Sequence, residues 1–352
     1  MLLLTLFACV HATSVLEGPR GVAPLATQPT AQSGQARFVV IGDVGVWSGT
    51  PSGEAGAVVA ADLSPKFRAV AANVRAVCAA EACDFVVLTG DNIYPNGVGN
   101  ADHSAAFGVM LAELGLPAWV VLGNHDWRFL TPNRSTAARE LDWIADHEGV
   151  SGSTHLWSVQ AGPVAIWGLD SNLFVRRDAT VDAPELDAFL HELARDRRHP
   201  WKLAVAHHTV FSNGEHGDAG HYRDGGLRLW AGAAWAEVLD QRVLPEVDLF
   251  LSGHDHNLQF FDAGGTGIMV SGAGAKCAGP GQDPGRFAEG RPEPAMLHFE
   301  RGFSVVEATE EELRVRFYSG SAEPFFKASR GVDDAAWRLP GGTAVEAAVH
   351  CG

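Results

Sequence analysis

Apolar runs of strand length recur along this chain, and most of them stop at a glycine followed by a polar, chemically competent residue. RFVVIGD (37–43), DFVVLTGD (84–91), AWVVLG (118–123), WKLAVAHH (201–208) and VDLFLSGH (247–254) are continuous and rich in β-branched residues. Such runs predict strands buried on both faces. Between them the period lengthens. A helix is expected over about 58–77, a shorter one around 104–114, and others at LDWIADH, PELDAFLHELARD and LRLWAGAAWAEVLDQRVL. HLWSV and VAIWGLD add two strands. LQFF, GIMVSGAGA, MLHFE, FSVVEAT and LRVRFYSG then follow with short joins, which predicts a β-rich, antiparallel last third. Strand–helix alternation followed by clustered strands gives an α/β chain with two packed β-sheets and helices outside. A TIM barrel is the runner-up, but the late strands lack the helices it requires.

The 352 residues, 46% hydrophobic, suffice for one large domain. Residues 14–36 are rich in Gly, Pro, Ala, Ser, Thr and Gln and read as a flexible leader. The domain is expected over 37–320, with 321–352 as a C-terminal extension packed on it. Residues 1–13 begin MLLLTLFACV, an apolar run of signal-peptide length and too short to span a bilayer. Export follows, to a periplasmic, extracellular or surface-anchored location. Leu6-Phe7-Ala8-Cys9 loosely resembles a bacterial lipobox, so Cys9 is a candidate for lipidation. The other four cysteines make an even count. Cys78 and Cys83 are placed to staple a helix end to the next strand, and Cys277 with Cys351 to pin the C-terminus. The net charge of −16 argues against a nucleic-acid partner. No later segment reads as a transmembrane helix.

The chemistry sits where the apolar runs end. Asp43 closes the first, Asp91 the second with Tyr94 just beyond, and Asn124 and His125 follow the third. His207 and His208 end the fourth, and His254 and His256 follow the fifth. An aspartate there can be a turn former, and a tyrosine is usually packing. Two such aspartates, however, can bridge a pair of metal ions. A phenolate ligand needs a strong Lewis acid, because phenol ionises only near pH ~10, and Fe³⁺ is the natural one. Neighbours on a strand face opposite ways, so at most one of His207 and His208 is expected to be a ligand. Asp126 reads as a structural partner.

The ordered set GDVG, GDNIY, GNHD, AHH and GHDH resembles the calcineurin-like metallophosphoesterases. Tyr94 and HHTVFSNGEHG make it similar to their purple acid phosphatases, particularly the small, tartrate-resistant type. The resemblance covers about residues 37–275. It implies a four-layer sandwich of two mixed β-sheets flanked by helices. It also implies hydrolysis of phosphate monoesters by a metal-bound hydroxide at a binuclear centre. Asp43, Asp91, Tyr94 and His256 would bind Fe³⁺, and Asp91 would bridge. Asn124, His207 and His254 would complete a second, divalent ion (Fe²⁺, Zn²⁺ or Mn²⁺). His125 and His216 would act as the catalytic outer histidines on a small phosphorylated substrate. His208 stands where the small enzymes usually have tyrosine and is expected away from the ligand set. A phosphodiesterase or nucleotide pyrophosphatase on the same centre is the alternative. A structural module and a protein phosphatase are more distant ones. The oligomeric state is left open.

Overall fold

The computed structural model describes residues 26–27, 34–129, 133–175, 183–222, 232–281, 290–341 and 351. Cys9, the signal-like segment and most of the expected leader lie outside them. The strands, in chain order, are β1 (Ala26–Thr27), β2 (Gln35–Ile41), β3 (Phe85–Leu88), β4 (Ala118–Val120) and β5 (Val150–Ser151). They continue with β6 (Leu156–Ala161), β7 (Val164–Leu169), β8 (Trp201–Val205), β9 (Leu249–Ser252) and β10 (Leu258–Ala263). The last five are β11 (Thr266–Ser271), β12 (Met296–His298), β13 (Gly302–Thr309), β14 (Glu312–Ser319) and β15 (Pro324–Gly331). They form two mixed sheets, ordered β1-β6-β7-β8-β9-β11-β10-β12 and β15-β14-β13-β2-β3-β4-β5. No barrel closes.

Alternation along each strand builds the layers. Phe38 and Val40 of β2 face inward and meet Leu203 and Val205 of β8 and Leu249 and Leu251 of β9 in the core between the sheets. Val39 and Ile41 face outward against helices α1 (Pro65–Glu81) and α2 (Ala101–Leu114). On the far side, Ala204 and Phe250 pack under α5 (Ala183–Arg195) and α6 (Ala233–Val238); α3 (Arg134–Asp146) and the single-turn α4 (Asn172–Val175) lie between α2 and α5 in sequence. The result is the predicted four-layer sandwich. Both faces of the central strands are covered, which is why their sequences show no polar alternation.

Several local expectations shift. The first long helix starts at Pro65, not near residue 58: Ser64 caps it, accepting from the Lys66 amide (3.3 Å), and proline is preorganised for the first turn. The second starts at Ala101, where the Asn100 side chain accepts from the His103 amide (3.0 Å). In the late strands the antiparallel expectation fails at β11, which runs parallel to β9. The β10–β11 hairpin turns back and inserts β11 between β9 and β10. The helix expected over 227–244 is described only from Gly232, and α6 continues as one π-helical turn, Leu239–Val243. Within the expected leader, Ala26–Thr27 pairs with β6. Beyond residue 320, β15 joins the edge of the second sheet. Cys78 is bonded to Cys83 and Cys277 to Cys351.

Candidate metal centre

β2, β3 and β4 run parallel in one sheet, and β8 and β9 run parallel in the other. Their carboxyl ends all open on the same edge, and the loops leaving them carry the polar residues. The two sheets are pinned together there. Gly42 N–H donates to the Ser271 carbonyl (2.8 Å), and the Ser271 hydroxyl to the Val40 carbonyl (2.9 Å). The loops turn sharply. Asp43, Asp91 and His254 hold φ of 58°, 56° and 69°, left-handed values that non-glycine residues seldom adopt. Neighbouring glycines make room: a Cβ at Gly123 would land on the Asp91 carboxylate, and one at Gly90 would lie 2.7 Å from His207 Nδ1.

Asp43, Asp91 and His207 are buried, and one ligand atom from each lies within 4.8 Å of the others. This cluster is able to coordinate one or more metal ions. The other expected ligands surround it. The Tyr94 hydroxyl donates to Asp91 Oδ2 (2.6 Å) and Asp43 Oδ1 (2.8 Å) and lies 3.4 Å from His256 Nε2. His256 Nε2 is 3.4 Å from Asp43 Oδ1. On the other side, His207 Nε2 lies 3.4 Å from Asp91 Oδ1 and 2.9 Å from Asn124 Oδ1. His254 Nδ1 lies 3.1 Å from Asn124 Oδ1 and 3.2 Å from His207 Nε2. The seven predicted ligands therefore converge, with Tyr94 and His256 on the same side as Asp43.

The hydrogen bonds behind the cluster test whether it suits a cation. The carbonyl of Thr89 can only accept, so His207 must donate to it from Nδ1 (2.8 Å). With Nδ1 committed to that carbonyl, Nε2 is the atom a neutral imidazole would offer a cation, facing the oxygens of Asn124 and Asp91. Lone pairs facing one another over such distances repel unless a cation lies between them, so the donor set fits a metal. Burial, then the charges of the surrounding histidines, hold the His254 imidazole far below its usual pKa, which leaves it a neutral donor. Its outer Nε2 finds no hydrogen-bond partner among the described residues. Burial would raise the pKa of Asp91, but His207, His125 and the Tyr94 hydroxyl outweigh it and keep the carboxylate ionised. Burial and the two carboxylates push the Tyr94 phenol well above its ordinary value, so only a strong Lewis acid could ionise it.

The two outer histidines flank the cluster. His125 donates from Nδ1 to the Pro95 carbonyl (2.7 Å), and its Nε2 is 3.8 Å from Asp91 Oδ2. His216 stacks on His254 with ring centroids 4.1 Å apart. His208 departs from expectation: its ring packs 4.5 Å from that of His254, against the ligand set, while Nδ1 meets the Ser171 hydroxyl (2.8 Å). β8 ends at Val205, so strict strand alternation no longer applies at this pair.

The residues that hold these loops were harder to find. Asp126 accepts from the backbone amides of Asn92, Ile93 and Gly123 (2.9, 3.1 and 2.7 Å), the structural role its sequence position implied. Asp255, inside GHDH, accepts from the amides of His216 and Gly217 (2.9 and 3.3 Å). Asn92 is held by Glu140 of α3 (3.0 Å), forty-eight positions away. Asp255 had a visible signal, being trapped between two ligands; Glu140 had none.

Comparison with known proteins gives the same picture. Residues 36–258 match the family model for calcineurin-like phosphoesterases. Purple acid phosphatase 3 of Arabidopsis thaliana is 29% identical over 324 residues, covering 83% of this chain and 76% of its own. Tartrate-resistant acid phosphatase type 5 of Sus scrofa is 26% identical over 365 residues, covering 92% and 94%. Among solved structures, the fold resembles GAP50, the anchor in the inner membrane complex of Plasmodium. That match has a TM-score of 0.61 at 14% identity and covers 85% of this chain and 90% of the other. Among the described residues, no helix is long and apolar enough to cross a membrane.

Proposed function

The chain belongs to the calcineurin-like phosphoesterase family, and from that premise we propose that it is an acid phosphatase of the purple type, hydrolysing phosphate monoesters at a binuclear centre. One observation carries this reading. The two oxygens of Asp91 face different donor groups: Oδ2 meets Tyr94 (2.6 Å), beside Asp43 and His256, while Oδ1 faces His207 (3.4 Å), beside Asn124 and His254. A carboxylate so divided is suited to bridging. Tyr94, Asp43 and His256 would hold Fe³⁺ with it. Asn124, His207 and His254 would hold a divalent ion, Fe²⁺, Zn²⁺ or Mn²⁺.

Such a pair supplies an activated water and neutralises phosphoryl oxygens. The chain's own residues do the rest. The Thr89 carbonyl fixes the His207 tautomer, and the Pro95 carbonyl fixes the ring of His125. His125 and His216 stand on either side of the cluster, where they can stabilise the charge that develops on the phosphoryl group and the leaving oxygen. The fold alone would not decide activity, since GAP50 shares it and is described as an anchor. Here the full donor set is present. The two disulfides support export into an oxidising compartment.

The test is turnover of an aryl phosphate monoester against the matching diester at mildly acidic pH, with elemental analysis and a visible spectrum of the same preparation. The expected result is monoester preference, two ions per chain and the pink or purple colour of an Fe³⁺–phenolate. Diester preference would move the assignment to a phosphodiesterase. A colourless, fully active enzyme with two divalent ions would refute iron and leave hydrolysis standing.

A further inference from the structure

The segment after β11 carries a lysine for which the ligand assignment has no task. Its backbone is laced onto the loops of the cluster on both sides. Gly274 N–H donates to the Gly42 carbonyl (3.0 Å), Ala275 N–H to the Asp43 carbonyl (3.2 Å) and Ala278 N–H to the His256 carbonyl (2.9 Å). Arg301 Nε donates to the Ala275 carbonyl (3.0 Å), and Cys277 is tied to Cys351. Between these fixed points, the Lys276 ammonium rests on the face of the Tyr94 ring, 3.5 Å from its centroid. His125 packs against the same ring, with centroids 4.4 Å apart. The hydroxyl of that ring meets Asp91 and Asp43 (2.6 and 2.8 Å), so the ammonium lies beside the cluster.

We propose that Lys276 holds an oxygen of the substrate's phosphoryl group, as a third anchor beside His125 and His216; this rests on the phosphatase reading above. Charge balance supports it. Two carboxylates facing two divalent cations leave a surplus of two positive charges. Replacing one cation by Fe³⁺ and the phenol by phenolate leaves that surplus unchanged. A phosphate dianion with the attacking hydroxide brings three negative charges. One more cation makes the loaded site neutral, and Lys276 is already held beside it. An aromatic face holds a cation without consuming its three N–H donors, so they remain for phosphoryl oxygens.

The experiment is calorimetric titration of the metal-loaded protein with inorganic phosphate, for wild type, Lys276→Met and Lys276→Arg, with metal content measured on each. Loss of one charge-assisted hydrogen bond predicts phosphate binding weakened roughly tenfold or more in Lys276→Met. Lys276→Arg should retain most of the affinity. In turnover, the methionine variant should raise KM for an aryl monoester more than it lowers kcat. Phosphate affinity within twofold of wild type in Lys276→Met, with both ions retained, would overturn the proposal. If Lys276→Met fails to fold or to hold metal, Lys276→Gln takes its place under the same criterion. Because phosphate binding is read without turnover, an inactive wild type would refute the phosphatase reading while the titration still decides the role of Lys276.

Discussion

Replacing Glu140 by glutamine should change how stability depends on pH while leaving the fold intact. Glu140 lies on α3, fully buried, with Oε1 accepting from Asn92 Nδ2 (3.0 Å) and Oε2 without a partner among the described residues. Burial is the main cause that pushes its pKa from 4.5 up to about 8, against the opposing pull of the Asn92 hydrogen bond. Asp126 beside it is also pushed up, by burial and then by the charge of Glu140. The sign follows from proton counts. Between pH 4.5 and about 8 the folded protein keeps a proton on Glu140 that the unfolded chain has released. Stability therefore falls as pH rises through that window and levels off above it. At ~1.4 kcal/mol per unit, the full loss is on the order of 5 kcal/mol. A glutamine side chain at this position would keep the acceptor for Asn92 and cannot ionise. Urea unfolding of wild type and Glu140→Gln, across pH 4.5 to 8.5 at fixed metal concentration, measures the difference and cancels the pH dependence of metal binding. The variant should gain on wild type progressively up to about pH 8. A difference in unfolding free energy that stays constant across the window would refute the reasoning.

Two substitutions address the centre itself. Asp91→Asn should lose metal and activity together, because an amide supplies one oxygen where the two donor groups need two; elemental analysis and turnover check it, and near-wild-type rates would refute the bridge. His216→Ala removes a ring that stacks on His254 without supplying a cluster donor, so both ions should stay while the rate falls roughly a hundredfold. Loss of metal in that variant would make His216 a structural support instead.

The sequence made the strand ends legible because strands covered on both faces read as unbroken apolar runs, and donors placed directly after them have little freedom to diverge. Phe38 through Asp43 is an instance: four buried apolar residues, a glycine and a carboxylate. Helix starts were legible to within the reach of their caps. The first moved because the residues before Ser64 are apolar enough to resemble another turn, and only the Ser64–Pro65 pair marks the true start. β11 was misread because periodicity reports burial, not the direction of the neighbour. The His208 ring comes to lie against His254 because β8 ends at Val205 and the two-residue alternation ends with it. Glu140 and Lys276 were invisible because their roles depend on which segments meet in space, and neither lies in a motif.

A deeper reason is that the acidic residues of the site each hold a second loop. Asp43 Oδ2 accepts from the amide of His254 (3.0 Å), and Asp91 Oδ1 from the amide of His125 (2.9 Å). Asp126 holds the loop after Asp91, and Asp255 holds the loop of His216. These bonds also offset backbone strain: the left-handed conformations of Asp43, Asp91 and His254 cost of the order of 1–3 kcal/mol each and persist only where the surroundings over-determine them. Each loop is therefore shaped by a carboxylate from another. It follows that deletions at Asp43 and His254, or at Asp91 and His125, should be non-additive, since removing the acid already releases the amide that places the histidine. If double variants at these pairs lost metal affinity as the simple sum of the single losses, the loops would be independent and the acids would be ligands only.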